Sequence, residues 1–172
     1  MSNEYVKADD GTVELVDAVI AEHHQNWIKR EPSVVVDVWF LDKTADGHDV
    51  PMVKAGRDVP GKVSISSKEE LQKWPERGHV QLTLCKHTWD NAELKERRAM
   101  VDHLCSHVVR TDEGNDPDKT FPDLGKAKPD VYVEGFSAVA QRHGEAALEH
   151  RQIYDATKKT SQLGFWKDGE AA

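Results

Sequence analysis

His103-Leu104-Cys105-Ser106-His107 places two imidazoles four residues apart. It lies within the stretch Ala92 to Arg110, where Leu94, Ala99, Met100, Val101, Leu104 and Val108 recur at helical spacing and predict the longest helix of the chain. Side chains at i and i+4 stand one above the other on one helical face, so both rings can turn a nitrogen toward a single cation. The spacing is that of the zinc pattern H-E-x-x-H, in which the glutamate takes a proton from metal-bound water and passes it on. Here Leu104 occupies the glutamate position. Leucine carries no proton, so the stretch predicts a metal-peptidase scaffold without its general base. Asp102 lies about 100° round the helix from His103 and would have to reach in from another direction to replace it. Cys105, about 200° from either imidazole, reads as a core residue.

Around this motif, 172 residues with 38% apolar content suit one domain with a closed core. The net charge of −8 argues against nucleic-acid binding, which calls for clustered Lys and Arg. Two cysteines, Cys85 and Cys105, both in apolar segments, read as reduced thiols and point to the cytoplasm. No apolar run approaches the roughly 20 residues needed to span a bilayer, and the N-terminus lacks a secretory pattern, so no membrane insertion is expected.

Upstream of the motif, Val13 to Ile28 carries an apolar stripe of Val13, Leu15, Val16, Val19, Ile20 and Trp27 and predicts a helix after a turn at residues 9–12. His23 and His24 near its end suit the helix dipole better than a metal. Val34 to Leu41 predicts a buried strand, followed by a polar loop from Asp42 to about Pro60. Gly61 to Ser66 predicts a second strand and Lys68 to Trp74 a short helix ended by Pro75. In His79 to Cys85, a third strand, Val80, Leu82 and Leu84 share one face. The acidic loop from Asp112 to Asp118 lacks the calcium-loop ligand order and reads as solvated charge. His143 reads as a helix-end residue before a C-cap at Gly144. The sequence then divides into a tail (1–12), a main domain (13–144), and a C-terminal helix with an aromatic tail (145–172) that contains Phe165 and Trp166.

Taken in order, Glu22-His23-His24, Trp89, Met100 to His107, Thr111-Asp112-Glu113-Gly114, Val133-Glu134-Gly135-Phe136 and Arg142-His143-Gly144 resemble the phage metallopeptidase family. In that family a strand leads into a helix with an Asp-His-Glu-Leu-Cys-His-like motif, then an acidic loop and a further helix ending near Arg-aromatic-Gly. The resemblance covers Val13 to Gly144 and implies an α+β, zincin-like single domain: a small, mostly antiparallel or mixed sheet of about three strands packed with several helices. It also implies zinc held by His103 and His107, with Asp130 or Glu134 completing the set, since no histidine stands at the start of the later helix.

The departure at Leu104 sets the functional expectation. It is a catalytically inactive, metallopeptidase-like phage protein with no cofactor, acting in the cytoplasm of an infected bacterium by binding a host protein during infection or superinfection exclusion. Val80, Leu82, Leu84, Phe165 and Trp166 are the candidate contacts. The alternative is a zinc peptidase with a non-standard base, Asp102 or Glu134. An imidazole pair bonded to neighbouring carbonyls, with no metal, is the plain structural reading of His103 and His107. A DNA-mimicking inhibitor ranks last, because the acidic residues are interspersed with basic ones.

Overall fold

The structure is a computed structural model that describes residues 2–46, 48–54, 57–112, 118–127 and 137–147. In chain order the elements are β1 (Ser2–Lys7), α1 (Asp10–His23), β2 (Val36–Ala45), β3 (His48–Asp49), β4 (Met52–Lys54), β5 (Arg57–Val59), β6 (Gly61–Ile65), α2 (Lys68–Lys73), β7 (Val80–Cys85), α3 (Lys86–Asp90), α4 (Leu94–Ser106), β8 (Val108–Arg110), β9 (Leu124–Lys126) and α5 (Ser137–His143). The fold is mixed helix and sheet. None of the described helices is long and apolar enough to cross a membrane.

The main sheet runs in the order β1-β2-β7-β6, and β3 folds back onto the far end of β2. Among the described strands only β2 and β7 are parallel, with Val38 opposite Leu82 and Phe40 opposite Leu84; β1 and β6 pair antiparallel at the two edges. Strand alternation sends Val38, Phe40, Val80, Leu82 and Leu84 to the side where α1 contributes Val16, Val19 and Ile20, and α4 contributes Met100, Val101, Leu104 and Cys105. This is the core. Val80, Leu82 and Leu84 share one face as their spacing predicts, yet all three are 0% exposed. They hold the sheet to the helices and are not available as partner contacts. Among the described residues the main sheet has five strands rather than about three.

Local chemistry explains where the elements differ from the sequence reading. Residues 2–7 are an edge strand and not a tail, pairing Val6 with Phe40 and Ser2 with Thr44. Helix α1 begins at Asp10 because Asp9 caps it, accepting from the Thr12 amide and hydroxyl, both at 2.9 Å. It stops at His23, and a 3-10 turn at Gln25–Trp27 then carries Trp27 into the core. The expected loop after Asp42 holds the end of β2 and the ribbons β2–β3 and β4–β5; Asp46, at φ 54°, turns the first of these.

Helix α4 is shorter than predicted at both ends. A box of Glu93 and Glu96 starts it, and the chain becomes extended β8 at Val108. With 13 residues it falls one short of α1, so α1 is the longest described helix. Extended backbone lets the buried Arg110 side chain donate to the Asp112 carboxylate and to the carbonyls of Arg30 and Glu31. That contact also corrects the acidic-loop reading at Asp112, which is ion-paired and 7% exposed; residues 113–117 lie outside the described residues. Gly144 adopts φ +54° after α5, the left-handed conformation expected of a residue that ends a helix.

Candidate metal centre

His103 stands in the last turn of α4, on the groove side, and His107 caps the helix. Their Nε2 atoms are 3.3 Å apart with the rings nearly perpendicular. Two nitrogens bound to one tetrahedral zinc at about 2.0–2.1 Å stand about 3.3–3.4 Å from each other, so the pair fits two corners of a zinc site. Zinc held there would act as a Lewis acid toward a carbonyl or water. Asp130 and Glu134, expected to complete the set, lie outside the described residues, as do Phe165 and Trp166.

The imidazoles line a groove of about 550 Å³ walled by β6, the β4–β5 ribbon, the start of β8, and Lys126 with Ala127. Between them on the helix, Leu104 is 3% exposed and belongs to the core while also lining the groove. It meets the backbone of β6 at Gly61. A Cβ on Gly61 would sit 3.1 Å from Leu104 Cδ1 and 2.3 Å from the Thr83 carbonyl oxygen, so glycine is what lets β6 approach both α4 and β7. Position 104, between the two imidazoles, is therefore filled with apolar packing. Among the described residues that line the groove there is no carboxylate.

Asp102, one residue before His103, faces elsewhere. Its side chain is 0% exposed and accepts four N–H groups: Arg142 Nε and His143 Nε2 at Oδ2 (2.8 and 2.9 Å), and Arg142 Nη2 and His24 Nε2 at Oδ1 (both 2.8 Å). Burial by itself would raise the carboxyl's pKa, but the hydrogen bonds from His24 and Arg142 outweigh it and hold the group well below the usual carboxylate range. An ionised carboxylate has about four acceptor positions, and all are taken. Asp102 is thus a clamp joining the ends of α1, α4 and α5, which corrects its reading as a substitute base.

His23, Asp102 and His143 bring ligand atoms within 4.8 Å of one another, a second arrangement of metal-ligand type. A cation there would have to displace the bidentate guanidinium of Arg142, whose charge already neutralises Asp102. We therefore read the cluster as structural. His23 stacks edge-on against His143, and burial lowers its pKa, favouring the neutral ring. His24 and His143 stand at helix ends as their positions predict, but their hydrogen bonds to Asp102 add a role that one-dimensional reading missed. The signal lay in Glu22-His23-His24 and Arg142-His143-Gly144, two stretches far apart in sequence that end the helices α1 and α5.

Both cysteines are free and buried. Burial, and then the Asp102 charge, push the Cys105 thiol up, which removes it as a nucleophile. Cys85 Sγ accepts from the Met52 amide at 3.3 Å and so ties the β4–β5 ribbon to β7.

A family model described as "Putative phage metallopeptidase" matches residues 4–158. No curated protein and no solved structure matches the chain.

Proposed function

The chain belongs to the phage metallopeptidase family, and from that membership we propose that it is a catalytically inactive member that works by binding a protein. The partner we assign is a host factor, engaged in the cytoplasm of the infected bacterium during takeover or superinfection exclusion. The observation that supports the reading is Leu104: between the two imidazoles stands a buried leucine packed on Gly61, which carries no proton. Asp102, the nearest carboxylate in sequence, is saturated by four donors in the clamp. A groove that keeps its walls and loses its base still offers shape and hydrogen-bonding edges to a ligand.

One observation favours a second reading, a zinc peptidase with a non-standard base such as Glu134. The 3.3 Å separation of the His103 and His107 nitrogens suits zinc. Elemental analysis of untagged protein, beside a His103→Ala/His107→Ala variant, combined with a chelator-controlled peptide hydrolysis assay, separates the two. Stoichiometric zinc with chelator-sensitive cleavage would establish the second reading. Protein that hydrolyses nothing even when loaded with zinc supports the first.

A further inference from the structure

We propose that the face of the main sheet turned away from α1 and α4 binds single-stranded nucleic acid; this goes beyond the protein-binding reading and does not rest on it. The pairing registers define the surface. Lys7, Trp39, Thr83 and Lys62 stand opposite one another in a single row across β1, β2, β7 and β6. In the next row Tyr5 stands opposite Leu41. Along β2 and β7 these positions alternate with Val38, Phe40, Leu82 and Leu84, which face the helices, so the whole row points to the other side. Tyr5 is 52% exposed, and Trp39 is half-buried.

Charge on this face has the opposite sign from that of the chain. Its lysines in β1, β2 and β6 are Lys7, Lys43 and Lys62, and its one acid in these strands and β7 is Asp37, whose carboxylate accepts from the Gly78 amide at 2.7 Å. None of the three lysines is ion-paired among the described residues. Lys62 donates to the Tyr5 hydroxyl at 3.1 Å and stands 5.1 Å from its ring centre, which leaves the charge in place beside an exposed aromatic ring. The net charge of −8 is a sum over the whole surface. It keeps a polyanion off the rest of the molecule and leaves this basic patch as the place where one can settle.

Spacing selects the kind of polyanion. Tyr5 and Trp39 are diagonal neighbours on paired strands, about 7–8 Å apart at the backbone. Two successive bases of an extended single strand can lie on two such rings. Lys7 and Lys62, three strand spacings or roughly 14 Å apart, then reach phosphates on either side. A flat sheet face that carries aromatic rings is a platform for unstacked bases. It presents no helix or ribbon to enter the groove of a duplex, and a protein interface of this kind would be poor in lysine at its centre.

The test is fluorescence anisotropy, followed against salt, with a fluorescein-labelled oligothymidylate, the same strand annealed to its complement, and a labelled polyglutamate peptide of equal length. We expect the single strand to bind at low salt and to lose about fifteen-fold in affinity between about 50 and about 200 mM salt, as three phosphate contacts give. Tyr5→Leu, which keeps an apolar side chain opposite Leu41, should weaken binding about ten-fold and leave the salt dependence unchanged. Lys7→Gln/Lys62→Gln, which changes two exposed side chains, should flatten the salt dependence to about that of a single contact. Circular dichroism melts matching the parent's show that both variants are folded. Failure of the parent protein to bind the oligothymidylate overturns the proposal. Equal binding of polyglutamate overturns it as well, because any polyanion then suffices, and so does tighter binding of the duplex. Full affinity in Tyr5→Leu removes the stacking platform. Loss of binding in His103→Ala/His107→Ala would place the contact in the groove and overturn the assignment to this face.

Discussion

Replacing Asp102 by asparagine keeps the shape of the clamp and removes its charge. The amide side chain would retain one oxygen, with room for two of the four donors. Whichever way the amide lies, its nitrogen then faces two N–H groups: Arg142 Nε and His143 Nε2, or Arg142 Nη2 and His24 Nε2. Breaking a buried ion pair from one side costs about 3–5 kcal/mol. Because the Arg142 side chain is 31% exposed and can recover some hydration, the lower end applies, about 3 kcal/mol. For a chain of 172 residues the unfolding entropy is roughly 0.36 kcal/mol/K, so the melting temperature should fall by about 8 °C at pH 7. A thermal melt followed by circular dichroism measures it. The carboxyl's pKa is lower in the folded protein than in the unfolded chain. Its stabilisation is therefore complete above the unfolded value of about 3.9 and is lost as the pH falls from there through the folded value, so the gap between parent and variant should narrow in acid. Arg142→Met in the same background should show strong non-additivity with Asp102→Asn. A drop below about 3 °C, or additive effects, would refute the claim that this charge network holds α1, α4 and α5 together.

Gly61→Ala should destabilise by about 2 kcal/mol or more, because its Cβ would press on the Thr83 backbone, and truncating Leu104 should not rescue it; a change under about 0.5 kcal/mol in urea unfolding would disprove the close approach. Leu104→Glu should cost about 2–3 kcal/mol through lost apolar burial and, in folded zinc-loaded protein, should raise chelator-sensitive peptide hydrolysis above the parent's; no gain would show that something besides the proton carrier is missing. His23 and His79 both have lowered pKa values through burial, so they favour the neutral ring in the folded state, and their contribution is present above the unfolded value of about 6.5 and lost as the pH drops from there toward the folded values. Urea unfolding should therefore give lower stability at pH 5.5 than at 7.5, with a shallower dependence in His79→Gln; a flat profile would contradict it.

The readable parts of the chain were those where apolar period and local chemistry agree. Gly61–Ile65 and Lys68–Lys73 emerge within a residue of their prediction because alternation and Pro75 are local signals; in the structure Ser67 caps the helix, accepting from the Glu70 amide. Strand β7 was clear as a strand, but its candidate binding face was misread, since apolar spacing shows that a face is buried without showing what covers it. Ser2–Lys7 stayed hidden because an edge strand exposed at every position has no burial pattern to print on its sequence. The end of α4 was overrun because Val108 continues the helical period, while the tether that ends the helix is Arg110 reaching carbonyls some 80 residues away. The same limit governs the site. The His pair is local and visible at i and i+4; the Asp102 clamp takes its partners from 78 and 40 residues away, and only the fold brings them together.

Two neighbours on α4 look in different directions: Asp102 into the clamp and His103 into the groove. The helix therefore cannot roll to suit a visitor without tearing four charge-assisted hydrogen bonds from a carboxylate that water does not reach. Any ligand that entered the groove would therefore meet a wall already held in one setting, so the cost of ordering would fall on the ligand and little of it on the protein.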